Sequence, residues 1–249
     1  MLERLANFTF NWKLSLFTVL LLPLMLNLGF WQLAREQEKL SLQSIYAQRQ
    51  SAPAQSLAVL DRQADLQYVA VELLGEFDNA HSFLLDNKIN AGRVGFEVIS
   101  PFYTETGELL LLNRGWAPQG KYRTDFPEID PVEGVVRLTG SVYMPLGQQV
   151  MLGDELVSQN WPRLIQSLDP EQLAEQLKGV GKERAVKLFP YSIRLAPNVP
   201  GVLQRNWPVI STSPEKHRAY AVQWFIMAGV LLLLYFYVST GYLSNKLDS

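Results

Sequence analysis

Charge disappears from the chain twice. Leu14 to Ala34 is a run of 21 uncharged residues between Lys13 and Arg35, nine of them leucine. That length matches the about 20 apolar residues a helix needs to cross a hydrocarbon core. At about -0.5 kcal/mol each on the insertion scale, the nine leucines outweigh Pro23, Asn27 and Gln32, so a spanning helix is predicted over 14–34. Trp12 and Trp31 stand 19 residues apart, about 28 Å along a helix, which puts one indole at each headgroup boundary. A cleaved signal peptide fits less well. The run is long for such a leader, and Asn27-Leu28-Gly29-Phe30-Trp31-Gln32-Leu33 offers no small-x-small cleavage site.

The second run, Ala219 to Asn245, holds 27 uncharged residues between Arg218 and Lys246. It predicts a second span, set at 217–243, with Tyr220 and Trp224 at one boundary and Tyr235, Tyr237 and Tyr242 toward the other. Two spans place segments 1–13 and 244–249 on one side of the membrane and a domain, 35–216, on the other. The flanking cations do not orient the pair: Arg4, Lys13 and Lys246 face Arg35, Lys39, Lys216 and Arg218.

Between the spans the apolar runs are short and β-rich: Tyr68–Leu74, Ser82–Leu85, Phe96–Pro101, Leu109–Leu112, Val135–Tyr143 and Val186–Leu195. Glu105-Thr106-Gly107 predicts a hairpin, and the alternation in Val135-Val136-Arg137-Leu138-Thr139 a half-buried strand. One helix is signalled by Asp169 as N-cap, Pro170 at its first position and Lys178-Gly179 as its stop. A second continues the first span outward through Arg35, Glu36, Glu38, Lys39 and Leu40. The expected fold is thus a membrane protein with two transmembrane helices flanking a mainly antiparallel β (α+β) extramembrane domain.

Composition narrows the chemistry. Lys plus Arg total 22 against 24 Asp plus Glu, without a block of like charges, which argues against a nucleic-acid surface. Cysteine is absent, so disulfides, thiolate nucleophiles and iron–sulfur clusters are excluded. His81 and His217 are the two histidines, too few for an all-histidine metal site. No Gly-x-Gly-x-x-Gly, Walker loop, Gly-x-Ser-x-Gly or His-Glu-x-x-His occurs. A triad built on His81 with Asp78 or Asp86 has no supporting spacing, and a strand-end histidine is the simpler reading.

His217 stands just before the second span, with Tyr220, Ala221 and Trp224 at i+3, i+4 and i+7 on one helical face. Ala221 leaves room between the larger rings, and the imidazole has one nitrogen for an iron and another for a supporting acceptor. The first span brings Gly29, Trp31, Gln32 and Arg35 to the same membrane boundary, where Arg35 would pair with a ligand carboxylate. Interfacial aromatic anchors and headgroup-facing cations are the competing reading of the same residues. In the domain, Asn113-Arg114-Gly115-Trp116-Ala117-Pro118 reads as a strand end with a glycine turn and a buried Trp, and Gly75-Glu76-Phe77-Asp78 as a strand closed by a turn.

These stretches resemble the surfeit locus protein 1 assembly factors of cytochrome c oxidase over nearly the whole chain. The resemblance rests on Leu28-Gly29-Phe30-Trp31-Gln32-Leu33-Ala34-Arg35 with Lys39, Gly75-Glu76-Phe77-Asp78, Gly95-Phe96-Glu97-Val98-Ile99-Ser100-Pro101, Leu112-Asn113-Arg114-Gly115-Trp116-Ala117-Pro118, and His217-Arg218-Ala219-Tyr220-Ala221 with Trp224-Phe225. The chain departs from the family at Tyr68-Val69 and at Glu215-Lys216. The resemblance implies a non-enzymatic, multi-pass inner-membrane protein with both termini cytoplasmic and the domain periplasmic. It would serve respiratory complex IV biogenesis, binding haem a transiently and assisting its insertion into the oxidase's catalytic subunit. His217 would be the axial ligand of the haem iron, with Tyr220, Trp224, Trp31 and Arg35 around it, and Arg114 and Trp116 would belong to a family-specific domain surface. Partners would be that catalytic subunit, the haem a synthesis machinery and the bilayer. The alternatives are a haem-independent scaffold for an oxidase intermediate and, more remotely, a membrane-anchored periplasmic enzyme using His81 and Asp78.

Overall fold

The computed structural model describes residues 10–62, 64–122, 125–145, 160–180, 187–210 and 212–240. The predictions on Arg4, Val186, Tyr242 and segment 244–249 lie outside them. Two compact units emerge: a helical one up to Ile45 and from Pro208 onward, and a β one over Tyr46–Trp207.

The helical unit is built from α1 (Trp12–Ser51) and α3 (Pro214–Ser239), with the short α2 (Pro170–Leu177) belonging to the β unit. Asn11 starts α1 by accepting from the backbone N–H groups of Lys13 and Leu14 at 3.1 and 3.3 Å. Pro23 is tolerated within it. The helix runs past the predicted exit at Leu40 to Ser51, because residues 41–51 contain no Gly or Pro and keep good helix formers such as Leu42, Gln43, Ala47, Gln48 and Arg49. α3 starts on Ser213 with Pro214 at its first position.

Both helices are long and apolar enough to cross a membrane, and large side chains such as Leu20, Phe30, Leu233 and Phe236 face outward along them. They pack antiparallel, since rising numbers on α1 meet falling numbers on α3. Ser15 bonds Tyr235 at 2.9 Å, Phe30 meets the Phe225 ring edge-on at 5.3 Å, and Gln32 bonds His217 at 2.8 Å. Gly29 permits this approach, because a Cβ there would fall 2.6 Å from the Phe225 ring.

In the β unit eight strands form one sheet: β1 (Gln55–Ser56), β2 (Ala70–Phe77), β3 (Phe83–Asn90), β4 (Arg93–Thr104), β5 (Glu108–Pro118), β6 (Val136–Tyr143), β7 (Arg163–Ile165) and β8 (Lys187–Leu195). Their order is β1-β2-β6-β8-β5-β4-β3-β7, and an added β2–β4 pairing at Gly75–Phe77 closes five of them into a barrel. Closure pairs β2 and β4 on both sides, and β1, β3 and β7 extend the sheet outside the closed ring. Most pairings are antiparallel, as expected, while β1–β2, β3–β7 and β5–β8 are parallel. The interior holds Phe102, Leu110, Leu112, Leu138, Phe189 and Ile193, all essentially inaccessible. A second cluster places Leu173 and Leu177 of α2 against Phe83, Ile99 and Leu111. α2 has the predicted start, with Asp169 accepting from the N–H groups of Glu171 and Gln172.

The predicted hairpin at Glu105-Thr106-Gly107 joins β4 to β5, with Gly107 at φ +80°. Gly115 corrects a detail, since it makes a bulge inside β5 rather than a turn ending it. Val98 pairs with Gly115 and Ile99 with Asn113, which leaves Arg114 as the extra residue. Gly115 has φ +124°, and a Cβ there would meet the Gln204 carbonyl at 2.7 Å.

The bulge also corrects the assignment of Arg114 and Trp116 to an exposed domain surface. It turns Arg114 inward, 3% exposed, where Nε donates to the Gly201 carbonyl at 2.6 Å and Nη2 to that of Asp130 at 2.9 Å. Trp116 is 4% exposed, and its Nε1 donates to the Lys88 carbonyl at 2.9 Å. Each side chain carries donors that match backbone carbonyls, those of Gly201 and Asp130 for Arg114 and that of Lys88 in β3 for Trp116, so burial satisfies both partners. The simpler reading of a buried Trp in this stretch holds.

Candidate functional site

Polar groups on facing helices converge toward one end of the helical unit. Gln32 and Glu36 are one turn apart on α1, and His217 and Arg218 are adjacent in the first turns of α3. His217 Nδ1 lies 2.8 Å from Gln32 Oε1. Glu36, 3% exposed, accepts at Oε1 from Arg218 Nε and Nη2, both at 2.6 Å. These ties fix the register of the two helices beside the predicted ligand.

The imidazole's second nitrogen is the informative atom. His217 Nε2 is buried and has no hydrogen-bond partner among the described residues. Buried polar atoms are usually satisfied, so one left open on a histidine whose other nitrogen is anchored stands out. No group of three His, Cys, Asp or Glu able to hold a bare metal ion occurs among the described residues.

The remaining predicted residues sit around this point with less engagement. Tyr220 is 52% exposed and Trp31 47%, while Trp224 is half-buried on the face of α3 that carries His217. Arg35 lies 5.7 Å from the Trp31 ring and pairs with Glu38 at 2.6 Å, so binding a ligand carboxylate would require it to share that pair. Sequence reasoning brought Gln32 to this boundary without a role and gave Glu36 to the helical extension. The available signal was a polar Gln inside an uncharged run, which at such depth needs a partner.

In the β unit, burial pulls the Arg114 guanidinium below its usual pKa, with Asp130 opposing the shift. Gly201 makes room for it: a Cβ there would lie 3.2 Å from Arg114 Nη2. His81 pairs through Nδ1 with Asp78 at 2.8 Å and meets the Trp161 ring edge-on at 4.8 Å. Asp78 also caps the Ala80 N–H at 3.1 Å, and the Ser82 hydroxyl bonds Ser100 at 2.9 Å. The dyad therefore ties the β2–β3 connection, and no hydroxyl is bonded to His81 among the described residues.

The model of the SURF1 family matches residues 19–229, most of both helices and the whole β unit. The chain belongs to the SURF1 family. It is 34% identical over 107 residues to a SURF1-like protein of Rickettsia felis, covering 42% of this chain and 46% of that protein. With a SURF1-like protein of Monosiga brevicollis it shares 31% over 148 residues, 53% of this chain and 56% of the relative. With surfeit locus protein 1 of Gallus gallus it shares 29% over 150 residues, 53% and 48% of the two chains. The chain thus spans about half the length of the curated relatives it matches. The SURF1 match reaches across Gln32, Glu36, His217 and Arg218, so the paired polar ties lie within the family's extent.

Proposed function

We propose that this SURF1-family protein is an assembly factor for a haem-copper cytochrome c oxidase, binding haem a transiently at His217 and assisting its insertion into the catalytic subunit. The observation that carries the reading is the buried, unpartnered Nε2 of His217 beside an anchored Nδ1. When bound, the haem would supply an iron able to accept an imidazole nitrogen, together with a flat apolar ring system. His217 would donate its Nε2 lone pair, Trp224 would cover one flank of the ring system, and Trp31 and Tyr220 would bound it toward the headgroups. A single protein ligand holds such a group less permanently than two, which favours handover.

The protein would act in the inner membrane, with α1 and α3 as spans and the β unit on the periplasmic side. Its partners would be the catalytic subunit as acceptor and the haem a synthesis machinery as donor. It would be a carrier and scaffold rather than a catalyst of covalent change. The test is complementation of a host lacking the protein, scored by the haem a content and activity of its oxidase. Wild type should restore both and His217→Ala should fail to. Full restoration by His217→Ala would overturn the haem role in favour of a haem-independent scaffold. No oxidase defect in the deletion host would overturn the assembly role.

A further inference from the structure

A neutral imidazole carries one proton on two nitrogens, and only the bare nitrogen can ligate iron. Which one is bare depends on the partner of the other. At His217, Nδ1 faces Gln32 Oε1 at 2.8 Å, and a carbonyl oxygen can only accept, so the proton belongs on Nδ1. The reversed amide would donate to Nδ1 and push the proton onto Nε2, where it would be a buried donor with no acceptor among the described residues. An orphaned N–H is among the rarest features of folded proteins, so the first arrangement prevails.

The amide is also held in place. One turn along α1, buried Glu36 grips Arg218, the residue after His217, through two contacts of 2.6 Å. This second tie stops the helices sliding past one another, a movement that would carry Gln32 out of reach. We infer that Gln32 is a positioning residue that sets the tautomer of His217, keeping Nε2 bare and ready to ligate before any ligand arrives. The inference rests on the reading of His217 as a haem ligand, yet it concerns a state measurable without haem.

The experiment uses the full chain labelled with 15N-histidine in lipid nanodiscs, without haem, at a pH above the histidine range. The His81→Gln variant assigns the signals. In wild type, His217 should show a pyridine-like Nε2 and a protonated Nδ1. Gln32→Met keeps the side-chain length and removes the carbonyl; it should lose this pattern, with the pyridine-like signal moving to Nδ1 or averaging between the two. If that variant fails to fold, Gln32→Asn, one methylene short of reach, gives the same readout. Titrated with haem a, the variant should bind about 10-fold or more weakly, the usual scale for losing such a supporting partner. A wild-type ring protonated at Nε2, or a Gln32→Met ring with the wild-type pattern, overturns the inference. The wild-type pattern with no haem a bound at His217 upholds the tautomer and overturns the ligand reading, so the two failures are separable.

Discussion

Arg114→Ala should cost stability first and function only through it. The side chain is 3% exposed and donates to two backbone carbonyls, at 2.6 Å to Gly201 and 2.9 Å to Asp130, with its guanidinium 5.4 Å from the Phe77 ring. Truncation strands two buried acceptors, each worth about 1–3 kcal/mol when left unpaired, and removes the guanidinium that lies over the Phe77 ring. Some relaxation and water entry will offset this, leaving a net loss of about 3 kcal/mol. For a unit of this size each kcal/mol moves Tm by about 2–4 °C, so Tm should fall by about 6–12 °C. Arg114→Lys should lose roughly half as much, because one ammonium cannot span both acceptors as a planar fork does. The assay is thermal melting of the full chain in mild detergent, followed by tryptophan fluorescence, beside oxidase assembly in the host. A Tm within about 2 °C of wild type together with lost assembly would refute the reasoning and return Arg114 to a partner-binding role.

Two further substitutions test the fold. Gly75→Val places a Cβ 2.2 Å from the Tyr103 carbonyl oxygen, a clash at the pairing that closes the barrel. It should destabilise the β unit by about 1–3 kcal/mol, read as a lower Tm, and an unchanged Tm would mean the barrel is open there. The Arg49 hydrogen bond, helped by the Gln67 N–H, holds the Asp65 carboxyl below its usual range. A depressed folded-state pKa stabilises above the unfolded value and loses that contribution as pH falls through the folded value. The gap in Tm between wild type and Asp65→Asn should therefore be present at neutral pH and close below about pH 3.9. Asp65 is largely exposed, so the gap stays under about 1 kcal/mol.

The parts of this molecule legible in its sequence are those written in periodicity. The two spans follow from uncharged runs, and each predicted apolar stretch of the domain coincides with a strand of the sheet, Phe96–Pro101 inside β4 and Leu109–Leu112 inside β5 among them. Asp169-Pro170 announced α2 because capping is local chemistry. What stayed hidden depends on partners distant in the chain. β7 has three residues and gains its place from parallel pairing with β3, and the β2–β4 closure joins segments that alternation cannot connect. The Arg114 bulge looked like a turn because a glycine at positive φ serves either purpose. At the candidate site, His217 stood out by position, whereas Gln32 as its anchor lies 185 residues away and Glu36 passed for an ordinary charge on an exposed helix.

The pair of ties at the end of α1 and α3 matters because it anchors one nitrogen of the His217 imidazole and leaves the other, buried, without a hydrogen-bond partner among the described residues, the observation on which the proposed haem role rests. The most direct measurement is the reduced absorption spectrum of the full chain, purified in mild detergent from a host that makes haem a, beside that of His217→Ala. A haem a band in wild type that is lost or strongly weakened in the variant is the predicted result. A band of equal strength in both would contradict His217 as the ligand, and no band in either, with the protein folded and haem a supplied, would contradict haem binding altogether.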